Sequence, residues 1–175
     1  MSKKGYADII IGLQFGDEGK GRIVEQISKD YDFVVRYQGG ANSGHTIYRE
    51  GKKHVLRIMP STFDSTPVLG SGVVVDPVVL IQEIRSLGMI PYIDLRCHLT
   101  HPIYKVYDIL NEGRGIVGNS GSKVGSTCRG NTGTYASKIM RIGLTMADVI
   151  AGSYSEKFSN IENYFIKIII SSFVF

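Results

Sequence analysis

A short apolar run that leads straight into a glycine-rich loop and then into helical spacing constrains this chain more than any other feature. Residues 9–25 read IIIGLQFGDEGKGRIVE. Ala7 to Leu13 is β-branched and bounded by glycine, which predicts a buried strand. Lys20 to Lys29 then carries Ile23, Val24 and Ile27 on one helical face. A turn of this kind aims backbone N–H groups and the positive end of a helix at an anion. Gly16, Gly19 and Gly21 admit close backbone approach, and Lys20 adds a point charge. The Walker pattern nevertheless fails: Gln14 stands where its first glycine belongs, and Gly21 where Ser or Thr would hold magnesium. Asp17 and Glu18 would repel a phosphate unless a carboxylate carries a cation, and Mg²⁺ binds through one or two carboxylates plus phosphate oxygens. Asp17 thus reads as a metal ligand replacing the missing hydroxyl, as a proton-abstracting base, or as both. A Gly-Asp-Glu-Gly stretch is also ordinary turn chemistry with its charges in water.

The strand-then-loop pattern returns. DFVVRY (32–37) predicts a second strand, QGGANSGHT (38–46) a second glycine-rich loop, and TIYREGKKHVLRIMP a hairpin about Gly51. Val68 to Val75 predicts a strand interrupted by Gly70 and Gly72. Asp76-Pro77 then caps and opens a helix through VVLIQEIRSL that stops at Gly88. PYIDL (91–95) predicts a strand, PIYKVYDILNE (102–112) a helix, 113–133 a long polar loop, and Tyr135 to Arg141 a helix. This alternation predicts an α/β fold with a mostly parallel sheet and flanking helices. A length of 175 residues suits one domain or a fragment of one. The closing YFIKIIISSFVF (164–175) is apolar and β-prone. It reads either as a terminal strand or as a truncated or frame-shifted end, and uncovered it is an aggregation hazard.

In a parallel sheet both glycine loops lie at the carboxyl ends of strands, where ligands bind. That position singles out His45, which as an imidazolium can stabilise charge on a transferring phosphoryl group or donate a proton. His54 falls in the hairpin, and His98 and His101 read as surface or structural residues. A net charge of +4 favours an anionic partner without choosing between nucleotide and nucleic acid. No block of five or six basic residues appears, which speaks against nucleic acid. Cys97 and Cys128 are isolated and lack metal-ligand spacing, as expected in a reducing cytoplasm. The N-terminus shows no secretory pattern, and nothing approaches the ~18 apolar residues of a membrane span. A cytoplasmic protein with no membrane partner is expected.

GLQFGDEGKGRIVE together with VVRYQGGANSGHT resembles the adenylosuccinate synthetase family, whose members carry a Gln-Trp-Gly-Asp-Glu-Gly-Lys-Gly loop and a Gly-Gly-x-Asn-x-Gly-His-Thr loop at matching separation. The likeness continues through HVLRIMPS, GSGVVVDPVVLIQEI and, more loosely, GSTCRGNTGTY…KIMRIGL, covering about residues 7 to 150. The resemblance implies a P-loop-NTPase-like fold, incomplete relative to the family: residues 1–150 as the N-terminal part of such a domain and 151–175 as a divergent, unassigned apolar tail. It implies a ligase that uses GTP and Mg²⁺ to join L-aspartate to IMP. Asp17 would remove the N1 proton of IMP and ligate magnesium with the Gly44 carbonyl. His45 would stabilise or protonate the transferring group. Gly16, Asp17, Glu18, Gly19, Lys20, Gly21 and Arg22, with Gly44, His45 and Thr46, would hold GTP. Asp17, Glu18, Gly19, Lys20, Asn42, Ser43, Gly44, His45 and Thr127 would border the IMP. Arg141 would reach the IMP of a neighbour in a homodimer.

The chain departs from the family pattern at three places. Phe15 replaces tryptophan, Cys128 stands where glycine follows the threonine, and Gly133 stands where proline is usual. Members of that family also run to well over twice this length, and their later guanine-reading and aspartate-binding motifs are absent here. The chain alone is therefore expected to have little or no ligase activity. The alternatives are a truncated, non-catalytic nucleotide-binding fragment, a phage-type relative acting on dGMP, and a nucleic-acid binder. Asp17 argues against the phage type, some of whose members lose the loop aspartate.

Overall fold

The computed structural model describes residues 5–14, 16, 18–114 and 125–171. In chain order its elements are α1 (Lys20–Ser28), β1 (Phe33–Gly39), β2 (His45–Arg49), β3 (Lys52–Leu56), β4 (Thr66–Val75), α2 (Pro77–Leu87), β5 (Tyr92–Ile93), β6 (His98–Leu99), α3 (Pro102–Arg114), α4 (Asn131–Ile139), α5 (Met146–Ile150) and α6 (Tyr154–Ser171). The fold is α/β with a parallel main sheet, as the alternation predicts. β4 is its spine: β1 pairs with one side, and β5 and β6 pair with successive parts of the other, all parallel. β4 runs unbroken through Gly70 and Gly72, and the ladder adjusts by a register shift in β1 between Arg36 and Gln38. β2 and β3 form a separate antiparallel hairpin, with Gly51 at φ 76° in its turn.

Local chemistry explains the best-defined boundaries. Asp76 caps α2 by accepting from Val78 N at 3.1 Å and Val79 N at 3.4 Å, and Pro77 occupies the first turn. Gly88, at φ 67°, ends the helix by returning its N–H to the Ile84 carbonyl at 2.8 Å. The core gathers Leu69, Val73 and Val75 of β4 with Leu80, Tyr104 and Phe165 from three helices.

Strand register sorts the two faces of the sheet. The row Arg36–Leu69–Ile93 turns toward the core, where Leu69 is fully buried. The adjacent row Val35–Val68–Tyr92 faces the other way, with Val35 54% and Tyr92 67% exposed. Phe33 and Tyr37, two residues to either side of Val35, are exposed with it.

Two expected strands are absent. Ala7 to Leu13 makes no ladder, and Ile9, Ile11 and Leu13 are exposed. A β-prone run becomes a strand only where a neighbouring edge accepts its backbone, and among the described residues no edge pairs with this one. It is moored instead at its start: Tyr6 stacks edge-on against Tyr31 at 5.7 Å, and the Tyr31 hydroxyl donates to Asp8. The tail, for which a terminal strand was one expectation, is an 18-residue helix, α6. Ile161 and Phe165, four apart, bury one face against α3, which overrides the β-propensity of the isoleucine run. The polar stretch 113–133 is also shorter than expected. α3 reaches Arg114 and α4 begins at Asn131, while residues 115–124 lie outside the described residues.

Candidate functional site

The first loop leaves a helix start open to an outside acceptor. Gly19 is the N-cap of α1 at φ 72°, no side chain among the described residues caps the helix, and its first turn holds no acidic residue. The first-turn amides and the positive helix end there favour an anion. Glu18 folds back so that its carboxylate accepts from the Gln14 N–H and from Lys20 Nζ. The Lys20 hydrogen bond is the main reason its pKa is lowered. A phosphate reaching this loop therefore meets Lys20 already sharing its charge with Glu18. Gly12, Gln14, Glu18, Lys20 and Ile23 line an adjoining cleft of about 330 Å³. Asp17 and Phe15 lie outside the described residues.

The second loop links β1 to β2 and comes close to the first. His45 opens β2, half-buried, and its Nε2 lies 3.1 Å from the Met59 carbonyl oxygen. A carbonyl only accepts, so Nε2 carries the proton and Nδ1 is left as an acceptor. Burial first, and Arg36 second, push the His45 pKa down to about 4, against a smaller upward pull from the Met59 bond. The ring is thus neutral at pH 7. Gly21 fits against this ring: a Cβ there would stand 2.8 Å from His45 Cβ and 3.1 Å from Cγ. Only a glycine in the first turn of α1 lets the two loops meet this closely. Arg22 of α1 faces Thr46 across a second cleft of about 320 Å³. Asn42, Ser43 and Gly44 are exposed at the loop crest.

A third loop joins them. Asn131, at the start of α4, donates from Nδ2 to Asn42 Oδ1 at 2.7 Å. This ties the segment carrying Thr127, which is exposed, to the second loop. Cys128 has φ 52°, the left-handed conformation that glycine holds without cost. Gly133 lies under Tyr104, where a Cβ would stand 2.7 Å from Tyr104 Cβ and Cγ. Arg141 is not brought to the others. It is exposed, with φ 62°, and lies past the far end of α4, roughly 15 Å along the chain axis from Asn131 at helical rise.

Of the residues expected to hold a metal, Asp17 is not described and Gly44 is exposed at the turn into β2. Among the described residues no group of three or more His, Cys, Asp or Glu could hold a metal ion. One carboxylate and one carbonyl are hard oxygen donors, which suit Mg²⁺ completed by phosphate and water and do not suit a soft-metal cage.

The sequence reading missed Arg36, Met59, Glu83 and Asn131. Arg36 donates to the carbonyls of Arg57, Gly40 (2.9 Å) and Gln38 (3.3 Å), and Glu83 accepts from the backbone of residues 57–59. Two of the four left a faint signal, a charge inside an apolar strand for Arg36 and a carboxylate on the apolar stripe of a helix for Glu83. Met59 acts through its carbonyl, which no sequence pattern shows.

A parallel sheet with two glycine-rich loops converging on an open helix start defines an α/β protein of the P-loop type. The adenylosuccinate synthetase family model matches residues 9–171, and the chain belongs to that family. It is 42% identical to the adenylosuccinate synthetase of Chlorobium chlorochromatii over 154 residues, 82% of this chain and 35% of that protein. Against the Flavobacterium johnsoniae adenylosuccinate synthetase it is 38% identical over 164 residues, 88% of this chain and 38% of that one. The structure of fully ligated adenylosuccinate synthetase from Plasmodium falciparum superposes with a TM-score of 0.82 at 30% identity, covering 90% of this chain and 38% of that one. The cyanophage S-2L succinoaminodeoxyadenylate synthetase, bound to dGMP and dATP, shares the fold at a TM-score of 0.64 and 20% identity, covering 79% of this chain and 40% of that one. The chain thus spans little more than a third of the length of the curated relatives it matches. No helix among the described residues is long and apolar enough to cross a membrane.

Proposed function

We propose that this chain supplies the phosphoryl-transfer part of an adenylosuccinate synthetase, in which GTP drives the joining of L-aspartate to IMP to give adenylosuccinate, GDP and phosphate. The observation that carries this reading is the seating of the His45 ring against Gly21, which sets the second glycine loop beside the open start of α1. Gly16 to Arg22 and Gly44 to Thr46 then grip the phosphates of GTP. Asp17 to Lys20, Asn42 to His45 and Thr127 border the IMP, a role for Thr127 supported by the Asn131–Asn42 bond four residues on. Asp17 takes the N1 proton of IMP. The 6-oxygen attacks the γ-phosphorus, GDP leaves, and the amine of aspartate displaces phosphate from the 6-phosphoryl-IMP. His45, neutral at rest, gains a proton on Nδ1 as phosphate charge approaches, because an anion beside an imidazole favours its charged form. Asp17 and the Gly44 carbonyl would hold Mg²⁺, which would neutralise phosphate charge. Arg141, set apart from the other candidates, serves the IMP of a second copy in a homodimer. The place of work is the cytoplasm.

The guanine-reading and aspartate-binding segments of the family have no counterpart in these residues, and an unread base gives no discrimination. The expected behaviour of the purified chain is Mg²⁺-dependent GTP binding with little or no turnover. Titration with a fluorescent GTP analogue, beside a coupled assay for adenylosuccinate, tests both halves. Absence of GTP binding at millimolar nucleotide sinks the site, and turnover near the rates of the longer relatives sinks the claim of incompleteness. Placing residues 1–171 in the Chlorobium protein in exchange for the matching segment tests the chemistry, with IMP and dGMP offered in parallel. A preference for dGMP would move the assignment to the phage-type activity.

A further inference from the structure

Residues 57–59 leave the hairpin after Leu56 and enter the core without joining a ladder, with Ile58 and Met59 fully buried. Their amides need acceptors, and Glu83 supplies them. It lies on α2 three residues after buried Leu80 and is itself buried. Its Oε1 accepts from Arg57 N at 2.6 Å, and its Oε2 from Ile58 N at 3.1 Å and Met59 N at 2.7 Å. The opposite side of the same peptide segment is held by Arg36, whose guanidinium donates to the Arg57 carbonyl. Met59 is shared: its N–H goes to Glu83, and its carbonyl receives the Nε2 proton of His45 at 3.1 Å.

We infer that Glu83 is a positioning residue for the reaction: by fixing the backbone of Arg57–Met59 it aims the Met59 carbonyl and thereby sets the ring orientation and the Nε2–H tautomer of His45. A carboxylate suits this task because it offers only acceptors, enough for three N–H groups at once. The inference rests on His45 belonging to the reaction. The tautomer itself is read without any substrate, so the two ideas fail separately.

The test uses the 175-residue chain labelled with ¹⁵N-histidine, read by long-range ¹H–¹⁵N correlation at pH 7.5 together with amide hydrogen exchange. Wild type should show His45 as a single Nε2–H tautomer, with slow exchange at Arg57, Ile58 and Met59. Glu83→Gln puts an NH₂ group where one acceptor stood. It should mix the His45 tautomers and speed exchange at those three amides at least tenfold. Ser86→Ala, on the next turn of α2 where the hydroxyl meets His54, should change neither. A role confined to packing would lower stability and leave the tautomer untouched, so a pure Nε2–H ring in a folded Glu83→Gln overturns the inference. If Glu83→Gln does not fold, Glu83→Asp, with the carboxylate one methylene short, is read the same way. A wild-type ring protonated on Nδ1 overturns it with no variant at all.

Discussion

Replacing Phe165 with alanine asks whether α6 is truly part of the core. The ring is 2% exposed and stands edge-on to three tyrosines: Tyr104 at 4.8 Å, Tyr107 at 5.3 Å and Tyr164 at 5.6 Å. Truncating a buried phenylalanine costs about 3–5 kcal/mol in transfer and cavity terms, and lost aromatic pairs push toward the upper end. A value near 4 kcal/mol is a large share of the roughly 5–15 kcal/mol that holds a domain together. With a urea slope of about 2 kcal/mol/M, the unfolding midpoint should fall by about 2 M. The assay is urea denaturation followed by far-UV circular dichroism, since an 18-residue helix carries much of the signal, with tyrosine fluorescence as a second probe in a chain that has ten tyrosines and no tryptophan. Tyr164→Ala is the internal control: its side chain is 42% exposed, and it should cost less than about 1 kcal/mol. If Phe165→Ala costs no more than Tyr164→Ala, α6 is not docked, and the argument that helical spacing overrides the isoleucine run is wrong.

Other outcomes follow from the geometry. Cys128→Gly should raise stability by a few tenths to about 1 kcal/mol, because relief at φ 52° exceeds the added freedom of the unfolded chain; Cys128→Val should lower it, both read from urea midpoints. His101 is 2% exposed and stacked 3.8 Å from Phe158, and burial pulls its pKa below the usual histidine value. Stability tied to its neutral form is present above about pH 6.5 and is lost as pH falls below that, with a slope of up to about 1.4 kcal/mol per pH unit. His101→Gln should flatten that fall between pH 7 and 5, and a parallel curve would refute it. In the Chlorobium exchange protein, Asp17→Asn should remove nearly all turnover while leaving the melting temperature within a few degrees, and a variant keeping most of its rate would remove the base-and-metal role.

Where a boundary is written in side chains that act locally, the sequence disclosed it: Asp76, Pro77 and Gly88 frame α2 by capping, a preset φ and a left-handed exit. Ala7 to Leu13 misled because a strand is a property of two edges, and only one of them is in the run itself. The tail misled because FIKIII satisfies β-propensity while Ile161 and Phe165 satisfy the helical period, and only the presence of α3 decides between them. Glycine spacing marked both loops, and His45 stands against Gly21 where they meet. Glu83 and Met59 stayed hidden, because backbone amides and carbonyls look alike at every position and their pairing is fixed only in three dimensions.

The bare row of Val35 and Tyr92, flanked by Phe33 and Tyr37, sets how this molecule behaves in bulk. Water against these exposed apolar side chains costs free energy that contact between copies releases, and such contact becomes more frequent as concentration rises. Dilution, mild detergent or a covering polypeptide should therefore govern whether the chain stays dispersed, well before the chemistry of its loops is tested.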